Sequence, residues 1–477
     1  MIKVPDGQPR LRVDEYAQRQ LSILKNYSAY HQIKPLNRLT LFLIWTSVTV
    51  AGIIAPMSLG IGIFCAGLIN YLILLVFRIS NNSAERSSEL QFYDETEPDQ
   101  WPSFSILVPL KNENEVIEAT LKAIDLLNYP DRLKQVIIIV EESDTITRQS
   151  LSAITLPYNF DVLYIPENTP HTKARALLYG LKVASGKYLT VYDAESRPEP
   201  DQLRKAAVAL SEAEYPLCLQ AKIKISNQEV NWLTRNFAAE YHEWYDGRLQ
   251  KLSESGLPFG LGGNSFFISK AELENAGAWD PFNVTEDADL SVRLVRHGVQ
   301  LRLLDSVTTE SCPSEISSWI NQRTRWNKGL LTTQLVHMRK LFAKSGFSPA
   351  ASRSFWSPMV CAALVPFFNL YIPLYMLLSD LPFQLQSLFN TGLWLLFGFN
   401  LVVAGIISRR TYSSLEIRKS TSIVFLDSFR YLFLQIAAGF KAYFEYFFSP
   451  LQWHKTAHHE NETIPDLAIV TETQPTT

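Results

Sequence analysis

Three short signatures occur in one order along the 477-residue chain: Asp193-Ala194-Glu195, Thr285-Glu286-Asp287 and Gln322-x-x-Arg325-Trp326. Carboxylates at i and i+2 leaving a strand point to one side. Such a pair suits Mg2+ or Mn2+, hard cations that take carboxylate oxygens and keep room for phosphates. Thr285 is a good helix N-cap, and two acids in the first turn complement the helix dipole. That structural role would account for most such tripeptides. Gln322-x-x-Arg325-Trp326 falls in a helical stretch, 314–332, with Trp319, Trp326 and Leu330 near one face. The pattern predicts an interfacial helix with Trp at the level of a membrane surface. Arg325 beside a cleft could pair with a diphosphate through charge-assisted hydrogen bonds. Neither a Gly-x-Ser-x-Gly elbow nor a Gly-x-x-x-x-Gly-Lys loop is present, so Ser hydrolase and P-loop chemistry are set aside.

The elements that must position these residues alternate. Ser103–Leu110, Gln135–Val140, Phe160–Ile165 and Tyr188–Tyr192 are short and rich in β-branched residues, and read as strands. Glu115–Leu127, Thr172–Ala184 and Pro200–Ala213 carry apolar residues at three- and four-residue spacing, and read as helices. Alternation implies right-handed crossovers and a mostly parallel, doubly wound sheet. Ligands of such sheets sit at the carboxyl ends of the strands. Lys111-Asn112-Glu113, Glu141-Glu142-Ser143-Asp144 and Asp193-Ala194-Glu195 all fall at those ends.

The flanks are of another kind. Residues 39–77 contain no charged side chain, enough length for two spanning helices around a turn at Pro56-Met57-Ser58. A second pair follows at 354–379 and 381–408, split by Asp380. Seven Lys and Arg lie in residues 1–38 and four in 409–419, whereas the two outer turns carry none. The positive-inside rule then puts both termini and the intervening block in the cytoplasm. In 421–449, Asp427, Arg430, Lys441 and Glu445 fall within an arc of about 60° on one helix face. An amphipathic helix on the inner membrane surface is the simplest expectation, with a span that hides the stripe in a bundle as the alternative. Cys65, Cys218, Cys312 and Cys361 lack metal spacing and read as reduced thiols. A net charge of −3 gives no reason to expect a nucleic-acid partner.

With the three signatures in this order between apolar hairpins, the chain resembles the membrane-embedded family 2 glycosyltransferases of the processive, cellulose, hyaluronan and chitin synthase-like type. The resemblance is specific over about 103–335. It implies a GT-A-like α/β nucleotide-sugar domain with a mostly parallel sheet, plus α-helical transmembrane hairpins. It assigns Asp193 and Glu195 to a Mg2+ or Mn2+ ion, the second acid being Glu where the family motif has Asp. Asp287 becomes the general base for the acceptor hydroxyl. Gln322, Arg325, Trp326 and Glu286 hold the acceptor and the diphosphate. Pro109, Glu113, Glu141, Glu142, Lys173, Asp193, Gly263 and Lys455 hold the nucleotide sugar, Lys455 from a Trp453-His454-Lys455-Thr456 loop.

The implied plan is a cytoplasmic segment 1–38, a transmembrane hairpin 39–78 and a cytoplasmic catalytic domain 79–350. A hairpin 351–408, an amphipathic helix with its Trp-containing loop 421–456 and a disordered tail 457–477 follow. The expected activity is inverting, metal-dependent transfer of a hexose from a UDP-sugar, with UDP-glucose the best guess. The product is a growing β-linked polysaccharide, made at the cytoplasmic face of the inner membrane and coupled to secretion. The alternative is one or a few sugars added to a lipid or short glycan. A catalytically silent scaffold or a transporter is the remote one. Partners would be the donor, a glycan acceptor, the bilayer, and envelope subunits or a second copy of the chain.

Overall fold

The structure, a computed structural model, describes residues 14–54, 72, 100–114, 116–338 and 383–450. Much of both expected hairpins, the Trp453–Thr456 loop with Lys455, and the tail lie outside these residues. In chain order, helices α1 (Glu15–Leu24) and α2 (Pro35–Ile54) precede strand β1 (Phe104–Leu110). Then α3 (Ile117–Asp125), β2 (Lys134–Glu141), α4 (Thr145–Ser152), β3 (Phe160–Ile165), α5 (Lys173–Val183) and β4 (Tyr188–Val191) alternate. The short β5 (Arg197–Pro198) leads to α6 (Gln202–Glu212), β6 (Leu217–Ile225) and α7 (Trp232–His242). A π-helical stretch, Glu243–Leu249, joins α7 to α8 (Gln250–Glu254). After these come β7 (Phe266–Ser269), α9 (Lys270–Asn275), α10 (Glu286–Arg296), β8 (Gln300–Glu310) and α11 (Ile316–Met338). Two long helices, α12 (Phe383–Ser414) and α13 (Thr421–Phe448), follow.

One eight-stranded sheet has the order β3-β2-β1-β4-β7-β6-β8-β5. β3, β2, β1 and β4 pair in parallel, as do β6 and β8. β7 runs antiparallel to both neighbours, and β5 antiparallel to β8. The strands and helices expected between residues 103 and 213 are all present, with ends moved by no more than two residues.

Both sheet faces are covered, so the central strands are nearly continuous apolar runs. Side chains alternate between faces. Phe104, Ile106 and Val108 of β1 pack with Ile138 and Leu203 on one side. Leu107 packs with Ile137, Leu177 and Leu290 on the other. Full burial of each such side chain contributes about 2 kcal/mol. Helix starts are set locally. Thr172 Oγ1 accepts the Arg175 N–H to begin α5, and Asn231 and Thr234 form a reciprocal capping box on α7.

The helices α11 and α13 correct two expectations. Trp319 is fully buried under α13, its ring 5.1 Å from that of Tyr431, so it is not at a membrane surface. Asp427 and Glu445 of the charged stripe on α13 turn inward and, with Lys441, take partners on neighbouring helices, while Arg430 stays exposed. Asp427 meets Arg235 of α7 at 3.3 Å, Glu445 meets Lys328 of α11 at 2.8 Å, and Lys441 donates to Asn321. The outward face presents Leu426, Phe429, Phe433, Phe444 and Phe448. By length and mean hydropathy (1.4), α13 is apolar enough to cross a membrane.

Candidate active site

The carboxyl ends of β1 and β2 build one side of the site. After β1, Asn112 adopts φ 53°, which Asn tolerates better than most residues. Its N–H donates to Asp144 at 2.6 Å, and the Glu113 N–H donates to Thr147 at 2.9 Å. Lys111 pairs with Glu141 at 2.9 Å, and His171 lies 3.5 Å from the same carboxylate. The buried Arg175 guanidinium joins Glu141 to Asp14, which caps α1. Burial pushes Glu141 up, but His171, Lys111 and Arg175 outweigh it and hold the carboxyl at about 2. Pro109, Glu113, Glu141 and Glu142 therefore lie at neighbouring strand ends. The Glu141 carboxylate, however, is engaged by cations of the chain and anchors the loop. Glu142 is exposed. Asp144, which the sequence offered only as part of an acidic run, organises the turn.

The centre of the site is an acid cluster around Lys173. Its ammonium pairs with Asp193 and donates to the Gly263 carbonyl at 3.0 Å. Burial would strip that charge, but Asp193, Glu286 and Asp287 outweigh it and keep the amine protonated. Asp193 and Glu195 stand half-buried just past β4. Behind them, burial first and then Glu195 and Asp193 push the Glu310 carboxyl up to about 8. Among the described residues no three Asp, Glu, His or Cys side chains converge as a closed cage. The neighbouring Asp193 and Glu195 carboxylates, half-buried with Lys173 beside Asp193, are of the type that holds a Mg2+ or Mn2+ ion that also takes phosphate oxygens.

The Thr285-Glu286-Asp287 turn faces this cluster across the Gly262-Gly263-Asn264 loop. Gly263 has φ +85°, and a Cβ there would lie 3.1 Å from Asp287 Oδ2. Only glycine brings backbone this near at that φ without strain. Asp287 Oδ1 accepts the Ala288 N–H at 2.8 Å, so Oδ2 is the oxygen turned toward the loop. Burial pushes both acids up, Glu286 to about 7, with Lys173 and Arg325 pulling down. Thr285 is the N-cap of α10, as expected, but its side chain makes no cap bond. It packs instead on Gly329 of α11, where a Cβ would come within 2.4 Å of its side chain. That close approach carries Arg325 toward the acid pair.

On α11, Gln322, Arg325 and Trp326 are half-buried. Gln322 Oε1 and Arg325 Nε are buried without a hydrogen-bond partner. Trp326 stands beside Phe237 and Tyr241, ring centroids 6.2 and 6.4 Å away. The Arg323 guanidinium, which the sequence left as an intervening letter, lies 4.5 Å from the Trp326 ring centroid and bonds Glu240 at 2.6 Å. The π-helical stretch after α7 carries Tyr245, whose hydroxyl abuts Gly262. π-Bulges recur at functional sites, but nothing in the spacing marked Tyr245, Glu240 or Glu310 beforehand.

Residues 102–329 match the family described as glycosyltransferase like family 2. The probable glycosyltransferase YdaM of Bacillus subtilis (strain 168) is 29% identical over 248 residues, 50% of this chain and 58% of that protein. The β-monoglucosyldiacylglycerol synthase of Nostoc sp. is 29% identical over 233 residues, 48% of this chain and 49% of its own length. Probable glucomannan 4-β-mannosyltransferase 1 of Arabidopsis thaliana is 25% identical over 308 residues, covering 60% and 55%. The chain thus spans about half the length of the curated relatives it matches. In fold it is similar to the mannosyltransferase PcManGT from Pyrobaculum calidifontis, solved with GDP-Man and Mn2+. The TM-score is 0.52 at 15% identity, over 78% of this chain and 97% of that one. The mostly parallel sheet is accordingly GT-A-like.

Proposed function

We propose, given that the chain is a family 2 glycosyltransferase, that it transfers a hexose with inversion from a nucleoside-diphosphate sugar, UDP-glucose by preference, to a glycan hydroxyl. The observation that carries this reading is the meeting of Asp193, Lys173, Gly263 and Asp287 at one set of strand ends, although nearly a hundred residues separate Asp193 from Asp287. Asp193 and Glu195 are the residues that would hold Mg2+ or Mn2+, which when bound supplies positive charge to the diphosphate leaving group. Lys173 and Arg325 add fixed positive charge on either side of the same place. Asp287 Oδ2 accepts the acceptor proton as the hydroxyl oxygen bonds to the anomeric carbon, and the bond from that carbon to the diphosphate breaks. Gln322 and Trp326 orient the acceptor, the indole by stacking on a sugar ring.

The setting belongs to the same proposal. Helices α2, α12 and α13 all turn apolar side chains outward, among them Phe42 and Leu43, Leu395 and Phe399, and Phe433 and Phe444. That belt supports a domain held on the cytoplasmic face of a membrane, with hairpins at 39–78 and 351–408 crossing it. Repeated transfer would then yield a β-linked polysaccharide delivered outward. A second reading, one sugar added to a lipid, draws support from the Nostoc relative, whose name gives a glucosyldiacylglycerol product.

The test is nucleoside diphosphate release with product sizing, from purified protein in nanodiscs. UDP-glucose, UDP-N-acetylglucosamine and GDP-mannose are compared, each with Mg2+ or Mn2+. One donor giving high-mass, glycosidase-sensitive product supports the polysaccharide reading. A lipid-extractable monoglycoside replaces it with the second reading. No turnover of any donor by folded protein overturns both.

A further inference from the structure

Glu310 ends β8 at the point where three parts of the site come together. Its carboxylate is buried, and one oxygen, Oε1, takes two donors. Ser196 Oγ donates to it at 2.9 Å, and Asn264 Nδ2 donates to the same oxygen. Ser196 in turn accepts the Asp193 N–H at 3.0 Å, closing the turn that carries Asp193 and Glu195. Asn264 Nδ2 also lies 3.4 Å from Asp193 Oδ2, and its backbone follows Gly263. Gln220 fixes that loop from below by donating to the Asn264 carbonyl at 2.9 Å and accepting the Gly262 N–H at 2.9 Å. Two residues past Glu310, the Cys312 N–H is tied to Asn227 at 3.0 Å, and α11 with its Arg325 begins shortly after.

A buried carboxyl group beside Asp193 and Glu195 is costly to place unless its hydrogen bonds matter. We propose that Glu310 is the positioning residue of the site. Through Ser196 it sets the direction of Asp193, and through Asn264 it sets the approach of Gly263 to Asp287. Its function is to accept two hydrogen bonds at one oxygen, and its charge is incidental. This inference rests on the nucleotide-sugar reading of the Asp193–Glu195 pair.

The experiment is isothermal titration of the full chain in nanodiscs with UDP in the presence of Mn2+, read beside kcat and KM for the preferred donor. Glu310→Ala is expected to weaken Mn2+-dependent UDP binding by about 10- to 100-fold, the usual effect of losing a partner that orients a ligand. Glu310→Gln keeps an acceptor oxygen in place and is expected to stay within about threefold of wild type. Ser196→Ala should reproduce part of the loss, and adding it to Glu310→Ala should cost little more, because both act through one network. Ser196→Ala and Asn264→Ala remain informative if Glu310→Ala does not fold. Equal losses in Glu310→Gln and Glu310→Ala would overturn the proposal, since charge or direct ligation would then be the role. So would undiminished binding in Glu310→Ala, or full additivity with Ser196→Ala. A wild-type protein that binds no UDP with Mn2+ would instead overturn the nucleotide-sugar reading itself.

Discussion

The two halves of the sheet are built differently. From β1 to β4 the chain winds in order, each strand beside one already laid down or one crossover away, and burial of Val, Ile and Leu does most of the work. From β6 onward the strands are apolar too, but the helices α7, α11 and α13 packed beside them are tied by polar pairs between segments far apart in sequence. Arg235 reaches Asp427, Arg323 reaches Glu240, and Lys328 reaches Glu445. The first half is a frame that tolerates small changes in volume. The second is a set of coupled charges in which one missing partner leaves the other buried. The site lies on the seam, with Asp193 and Lys173 from the frame and Asp287 and Arg325 from the coupled half.

The sharpest test of that seam is Asp287→Asn. It keeps the shape and the Ala288 hydrogen-bond acceptor but removes the base, so kcat should fall about 10³-fold. UDP binding, a property of the frame side, should change little. A parallel loss of UDP affinity would show that the two halves are not separable in this way.

Next in size is Lys328→Met. Lys328 and Glu445 are both buried and 2.8 Å apart, so removing the cation leaves the carboxylate with the more distant Lys441 at 3.9 Å and should cost about 3 kcal/mol, read as a lowered unfolding midpoint. The double change Lys328→Met with Glu445→Leu should recover most of that loss. Failure to recover it would mean that the pair itself, rather than the stranded charge, holds α13 against α11.

A smaller effect is expected from pH. Glu286 and Asp287 are both raised by burial, Glu286 to about 7. The base, Asp287, must be ionised, so activity is lost as pH falls through its raised titration range. Below that limb, which lies above the ordinary Asp range, kcat/KM should fall about tenfold per pH unit. Glu286→Gln removes a neighbouring negative charge and should move the limb to lower pH. An unmoved limb would assign the titration elsewhere.

The halves also differ in how much of them could be read from the sequence. The frame is legible because its information is local: the apolar run Val136–Val140 and the Thr172 cap are written within a few residues of where they act. The three signatures were found for the same reason, since each is contiguous. What gathers them was not visible. Glu310 lies more than a hundred residues from Ser196 in sequence and 46 from Asn264, and no periodicity connects them. The sequence shows the stripe on α13 but leaves open whether headgroups or a helix bundle cover it. Its partners are Arg235, Lys328 and Asn321, residues whose availability depends on where α7 and α11 lie. The burial of Trp319 was misjudged for the same reason: one amphipathic face cannot say whether lipid or another helix will cover it.

The mildest prediction concerns the frame alone. Ile137 and Ile138 are adjacent in β2 and face opposite layers of the core, one toward Leu177 and the other toward Leu203. Each Ile→Val change removes one methyl group and should cost about 1 kcal/mol. Because the two side chains share no packing neighbours across the sheet, the double variant should cost close to the sum, and UDP binding should be unaffected. Additivity within about 0.5 kcal/mol is what independent sites show. A strong departure would mean that the two layers communicate through the strand, and the frame would then be as coupled as the half it is contrasted with.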